Sequence, residues 1–514
     1  MISVSGPALE LATTATKNSL NEILLRLASK DHTLWGPEAE AEAAVRLNWI
    51  DLPTTSRALL PELDALTAWA RTKEISTIVL AGMGGSSLAP EVIAKTYEKR
   101  LTVLDTTDPD QIKAAIPTDL AHSLIVVGSK SGSTIETASH KAFFTKTFQD
   151  AGLNPAEHFV IVTDPGSPLD KSARADGLRV INADPNVGGR YSALSAFGLV
   201  PAALIGVDVS ILIDDAAAAA ATFVEANSVA VQIAATIFDK GEQNVAFFDH
   251  GSDLPGISDW IEQLVAESTG KNQTGRLPIA IESADAAIAG VGLRIGFQSG
   301  SAADLIILGS LGEQFILWEW VTALLSYSLA VDPFNQPNVT EAKERTGALL
   351  STWNDGKVPQ LKAAFENDVI AIYSSSKAND LAGQLNDFFA HPSHYIAIMA
   401  YLARGIDNQA PQLRELIARK SARGTTFGWG PRFLHSTGQF HKGGQHNGAF
   451  LQITGENEND LAIPHQNFSF HTLLMAQALG DGQALSDRKF PLLRIHLKER
   501  KAGLQALLKE LDQI

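Results

Sequence analysis

The 514-residue sequence contains no cysteine, which excludes disulfides, thiolate nucleophiles and cysteine-ligated zinc or iron–sulfur centres. Positive charge is in short supply. The chain has 41 Lys and Arg against 57 Asp and Glu, a formal net charge of −16, with a pI near 5.3. The field of such a chain repels polyanions, so neither nucleic acid nor anionic lipid is an expected partner, and an anionic substrate needs a locally basic site. Long apolar runs are missing too. The longest, residues 193–207, is broken by Ser195, Gly198, Pro201 and Gly206 and stops at Asp208, short of the roughly 20 residues that cross a bilayer. The N-terminus has no basic region leading into an apolar stretch, and Glu10 interrupts it, so no export signal is expected. These absences together point to the cytoplasm and away from membranes.

What is present is an apolar content of 45%, in a chain long enough for two or three layered cores. Residues 1–60 carry helical spacing at Leu20, Ile23, Leu24 and Leu27, then the turn formers Pro53 and Pro61, which predicts a helical arm. From residue 75, short apolar segments at 78–81, 102–105, 123–128 and 158–163 read as strands separated by helix-like stretches. The pattern repeats with strands at 245–249, 279–282 and 305–309 and helices at 260–267 and 314–330. Such alternation predicts parallel, doubly wound sheets. The alanine run 216–221 predicts a helix packed closely on its neighbours. A third βαβ-like stretch, with strands at 369–373, 395–400 and 494–497 and a charged helix at 498–511, is expected to wrap around or extend the second domain. The predicted fold is α/β, with an N-terminal arm at 1–60, parallel-sheet domains at 61–215 and 216–365, and an αβ extension at 366–514.

Two loops carry candidate chemistry. In GSKSGSTIETASH, residues 128–140, an apolar strand runs into Ser129, Ser131, Ser133 and Thr134 and then into a helix. Unpaired backbone N–H groups, the positive end of the helix dipole and the hydroxyls suit a dianionic phosphate there. Lys130 adds a cation. A turn that merely caps a helix needs one hydroxyl; four within six residues exceed that need. The earlier loop GMGGSSLAP, residues 82–90, allows close backbone approach at Gly85 and Ser86. Its glycines, Gly82, Gly84 and Gly85, lack the G-x-G-x-x-G spacing of a dinucleotide site. Two such loops at the C-terminal ends of neighbouring strands fit one small phosphorylated ligand.

These loops resemble the sugar-isomerase domain, and the chain is similar to the phosphoglucose isomerase family. GGRYSALSAFG at 188–198 resembles the first family signature, QLVAESTGK at 263–271 the segment in which Gln precedes the catalytic Glu by four positions, and DPFNQPNVTEAK at 332–343 the C-terminal signature. GPRFLHSTGQFHKGG at 430–444 and AFLQIT at 449–454 are similar to the isomerase half of bacterial transaldolase–phosphoglucose isomerase fusions. The expectation is a free-standing version or one half of such a fusion. The resemblance implies two sugar-isomerase domains and the interconversion of glucose 6-phosphate and fructose 6-phosphate through a cis-enediol, without metal or other cofactor. It also implies a homodimer and a functional link to transaldolase. Glu267 would be the base, Arg190 would stabilise the enediolate, Lys343 would assist ring opening, and Gln263 and Gln336 would bind sugar or phosphate.

The family places a His between the catalytic Glu and the last signature, yet residues 271–343 contain none. Imidazole is suited to protonating a ring oxygen. The candidates are His441, then His435, with His446 third. A metal-binding role for this cluster has little behind it, because no H-E-x-x-H helix or paired carboxylates accompany it. Two functional alternatives stay open: an isomerase that also accepts mannose 6-phosphate, and a regulator that binds sugar phosphate without chemistry. The joint presence of Arg190, Glu267 and Lys343 speaks against the regulator.

Overall fold

Segments such as SLIVVG, in which all six residues Ser123–Gly128 are buried, have no solvent-facing side and therefore form central parallel strands. The computed structural model describes residues 2–353, 358–359 and 361–514. Its first sheet has five parallel strands in the spatial order Thr102–Leu104, Thr77–Gly82, Ser123–Gly128, Phe159–Thr163 and Arg179–Asn182. Gly82 and Gly128 are paired in register. The two ligand-loop candidates therefore leave the sheet side by side from the same edge.

The second sheet runs Ser3–Ser5, Leu305–Leu308, Leu293–Gly296, Asn244–Phe248, Leu277–Ala280, all parallel except the first pair. The N-terminal arm is thus anchored rather than free, because Ser3–Ser5 forms the antiparallel edge of this sheet. Its helix Thr14–Ala28 buries Leu20, Ile23, Leu24 and Leu27. The alanine run lies in the helix Val209–Phe223, which buries Ala216 and Ala219. The helix Leu311–Ser328 approaches it so closely that a Cβ at Gly312 would lie 2.2 Å from the Leu212 carbonyl oxygen.

The C-terminal stretch carries a sheet of its own, a fuller structure than an extension. Its order is Phe365–Glu366, Ile370–Tyr373, Leu492–Leu497, Gly448–Gly455, Tyr395–Tyr401 and Gly424–Trp429, with the last four strands mutually parallel. Ile372, Ile398, Leu451 and Ile495 centre a separate apolar core. A further cluster joins Ala266 and Leu277 to Tyr395, Phe440 and Phe450, so this unit packs against the second sheet's elements. Another joins Ile125 and Phe144 to Phe470 and Leu473, on the first sheet's side. The divisions expected at 215/216 and 365/366 fall inside the helix Val209–Phe223 and the strand Phe365–Glu366. Among the described residues no helix is long and apolar enough to cross a membrane.

Candidate active site

The helix Ile257–Thr269 is buried along nearly its whole length, and it brings Gln263 and Glu267 to one face because residues four apart align. Gln263 Nε2 donates to Glu267 Oε2 at 3.2 Å and to the His435 carbonyl oxygen at 2.7 Å. Arg190 follows the turn at Gly189, and its Nη2 lies 3.4 Å from Glu267 Oε1. The guanidinium also donates to the backbone oxygens of Glu267 (2.7 Å), Pro333 (3.3 Å), Phe334 (3.1 Å) and Asn335 (3.2 Å) and to Gln336 Oε1 (3.0 Å). A planar fork with five N–H donors suits this role, which ties the turn before Gln336 to the Glu267 helix. Lys271 lies buried nearby and donates to the Asp332 carbonyl oxygen. Burial, then the charge of Arg190, pushes its ammonium well below the usual lysine pKa.

The glycines of the 82–87 loop serve packing. A Cβ at Gly85 would lie 1.8 Å from the Gly189 carbonyl oxygen, and one at Gly84, whose φ is +56°, would meet Gln263 Nε2 at 2.7 Å. Their absent side chains let the Arg190 turn and the Glu267 helix close on the loop. The result is a cleft of about 550 Å³ that Gly85, Ser86, Ser129, Lys130, Ser131 and Thr134 line on one side. Arg190, Gln263, Glu267, Gln336, Lys343 and His435 line the rest.

Thr134 immediately precedes the 16-residue helix Ile135–Asp150. The loop hydroxyls are mutually arranged, with Ser131 Oγ and Ser133 Oγ 2.9 Å apart and Ser129 Oγ donating to Thr134 Oγ1 at 3.3 Å. Lys130 differs from expectation: its ammonium is paired with Asp164 at 2.6 Å and donates to the Pro185 carbonyl oxygen at 2.8 Å. Burial lowers the Lys130 pKa and raises that of Asp164. Arg46, on the N-terminal segment, donates to the same Pro185 oxygen at 3.2 Å and to Glu42 at 2.8 Å. Glu42, Arg46 and Asp164 all line the cleft, and the sequence reading missed all three.

Gln336 immediately precedes the helix Pro337–Thr352, and Lys343 lies on that helix. Lys343 is exposed and has no ion pair among the described residues, although its charge helps to depress the pKa of Glu136.

The histidines correct the expected order. His435 ends the short turn Arg432–His435 and faces the cleft, with Nε2 3.0 Å from Glu136 Oε1. Burial raises the Glu136 pKa, but the charge and hydrogen bond of His435 outweigh it and bring it to about 2. His441, the first choice, lies outside the cleft. It is buried, stacked on Tyr395 at 5.7 Å between ring centroids, with Nδ1 3.2 Å from the Tyr395 hydroxyl. Burial, then Lys442, lowers its pKa to about 3, so it is neutral near pH 7 and is a packing residue. His446 stacks on Phe490 at 4.1 Å. Glu136 itself lies in the quoted loop sequence, where it is the sole acid between residues 128 and 140; that was the available signal.

The family model for phosphoglucose isomerase matches residues 64–290. Glucose-6-phosphate isomerase from Trichormus variabilis is 32% identical over 219 residues, which cover 40% of this chain and 42% of that protein. The glucose-6-phosphate isomerase from Citrifermentans bemidjiense is 36% identical over 210 residues, covering 38% and 40%. The chain thus matches about two-fifths of the length of these curated relatives. The crystal structure of a glucose-6-phosphate isomerase from Chlamydia trachomatis aligns with a TM-score of 0.55 at 20% identity, over 69% of this chain and 90% of that chain, a likeness of fold. The matched residues include both ligand-loop candidates, Arg190, Gln263 and Glu267. Gln336, Lys343 and His435 lie beyond them.

Proposed function

We propose that this chain is an aldose–ketose isomerase of the phosphoglucose isomerase family that interconverts glucose 6-phosphate and fructose 6-phosphate. One observation carries the reading: the Glu267 carboxylate lies against a fully engaged Arg190 in the same cleft as Lys343, His435 and a serine-rich helix N-terminus. The serine loop grips the phosphate. His435, with Lys343 nearby, moves the proton that opens the sugar ring. Glu267 then takes the proton from C2 of the aldose, forming the cis-enediol, and returns it to C1. Arg190 stabilises the developing enediolate charge without reorganising, because its guanidinium is already fixed by carbonyl oxygens.

The proposal extends to a homodimer in the cytoplasm and to a functional link with a transaldolase, as in the fusion proteins it resembles. It also extends to a division into arm, two sugar-isomerase domains and C-terminal unit. The deciding assay supplies fructose 6-phosphate and follows glucose 6-phosphate with a coupled dehydrogenase. Turnover is expected, and its absence with purified, folded protein favours the regulator. Mannose 6-phosphate in parallel measures whether the C2 epimer is also accepted.

The loop assignment has its own test. Ser131→Ala combined with Thr134→Val is expected to raise KM for the sugar phosphate about tenfold or more with little change in kcat, because phosphate contacts are shared by ground and transition states. Loss confined to kcat moves the phosphate elsewhere.

A further inference from the structure

Glu136 Oε1 accepts two hydrogen bonds: from His435 Nε2 at 3.0 Å and from Gln477 Nε2 at 2.7 Å. Gln477 lies on the helix Phe470–Asp487 and is 3% exposed, as is Glu136. Its Oε1 accepts from the hydroxyl of Thr107, a residue with no exposure, at 2.6 Å. The direction of this chain is determined. An ionised carboxylate only accepts, so the Gln477 amide must turn its NH2 to Glu136, which leaves its oxygen for Thr107, whose hydroxyl must donate.

The same helix has a second hold on this region. Asp481, four residues after Gln477, pairs with Lys442 at 2.6 Å, both side chains being 1% exposed. Lys442 lies on the short helix Gly438–Gly443 that follows His435. One helix therefore fixes both members of the Glu136–His435 pair, the carboxylate through Gln477 and the histidine's segment through Asp481.

We propose that Gln477, oriented by Thr107, is a positioning residue that aims the Glu136 carboxylate at His435 and so sets the ring-opening step. The proposal rests on the isomerase reading above for its kinetic consequence. Its geometric content stands apart: two donors on one oxygen hold the buried carboxylate, and removing the Gln477 amide leaves that oxygen to His435 alone.

The test uses the full chain and four variants. Gln477→Leu keeps the bulk and removes the amide; Gln477→Glu keeps the shape and sets an acceptor against Glu136. Thr107→Val removes the hydroxyl alone, and Thr107→Ser retains it. Turnover of cyclic fructose 6-phosphate is expected to fall about tenfold or more in the first three and to be nearly wild type in Thr107→Ser. Solvent exchange of the substrate proton in an open-chain 5-deoxy ketose 6-phosphate should be nearly unchanged in all four. NMR of the histidine ring N–H, assigned by its loss in His435→Ala, should give a downfield resonance in the wild type that shifts or exchanges away in Gln477→Leu and Thr107→Val. A merely structural glutamine predicts equal loss on cyclic and open-chain substrates and no distinction between Thr107→Ser and Thr107→Val; that pattern overturns the proposal. So does an unchanged resonance with wild-type turnover in folded Thr107→Val. If the wild type does not isomerise but the resonance responds as described, the isomerase reading falls and the positioning role stands.

Discussion

Glu267→Gln is expected to lower kcat about a thousandfold or more while sugar-phosphate binding persists, within the span that a positioned base contributes. The amide keeps the volume of the carboxylate but cannot accept the substrate proton. The structural side effect is bounded. Glu267 receives Arg190 on one oxygen and Gln263 on the other, so one of these donors will face an NH2, a loss on the order of 1 kcal/mol. Arg190 remains held by four backbone oxygens and Gln336, which preserves the cleft. Stopped turnover with retained binding is thus the signature of a lost base, and proton exchange at C1 and C2 should stop as well. Retention of more than about a tenth of wild-type kcat, a barrier change under roughly 1.4 kcal/mol, removes Glu267 from that role.

Much of the first two sheets was legible because their central strands, such as Thr77–Gly82, Ser123–Gly128, Phe159–Thr163 and Asn244–Phe248, are buried on both faces and read as short aliphatic runs between helices. The strands Gly424–Trp429 and Gly448–Gly455 were not read as such. GTTFGW has two glycines and two threonines among its six residues, and GAFLQITG buries Gln452 and Thr454 beside its aliphatics. Some of their polar groups find partners that only the fold supplies, as when Gln452 Nε2 donates to the Ala478 carbonyl oxygen. The same limit applies to the site. Gln263 and Glu267, or Gln336 and Lys343, share a local offset that a linear reading can notice. Glu42, Arg46, Asp164 and Gln477 reach the cleft or its supports through long-range packing, without local periodicity. His435 and His441 are six residues apart, and the break at Ser436, with φ −142° and ψ −93°, separates one facing the cleft from one facing the core. No spacing rule covers such a turn.

That separation yields opposite expectations for the two histidines. His435→Ala is expected to slow turnover of the cyclic sugar about a hundredfold, while proton exchange on an open-chain 5-deoxy ketose 6-phosphate is nearly spared, since ring opening and proton transfer are distinct steps. Glu267→Gln should fail in both assays. His441→Ala should leave kcat close to wild type but cost stability, about 2–4 kcal/mol for emptying a packed aromatic position, because its ring is stacked on Tyr395 and lies edge-on to Phe450. The pH dependence follows from the same burial. The folded pKa of His441 is lowered from 6.5 to about 3, so between those values the unfolded chain binds the proton and the folded one does not. Stability therefore falls as pH drops from about 6.5 toward 3. His441→Phe removes the titrating group while filling the position, and its denaturation midpoint should vary less across that window than the wild type's. If His441→Phe instead loses turnover of the cyclic sugar and His435→Ala does not, the proton for ring opening comes from the core-facing histidine and the cleft assignment of His435 fails.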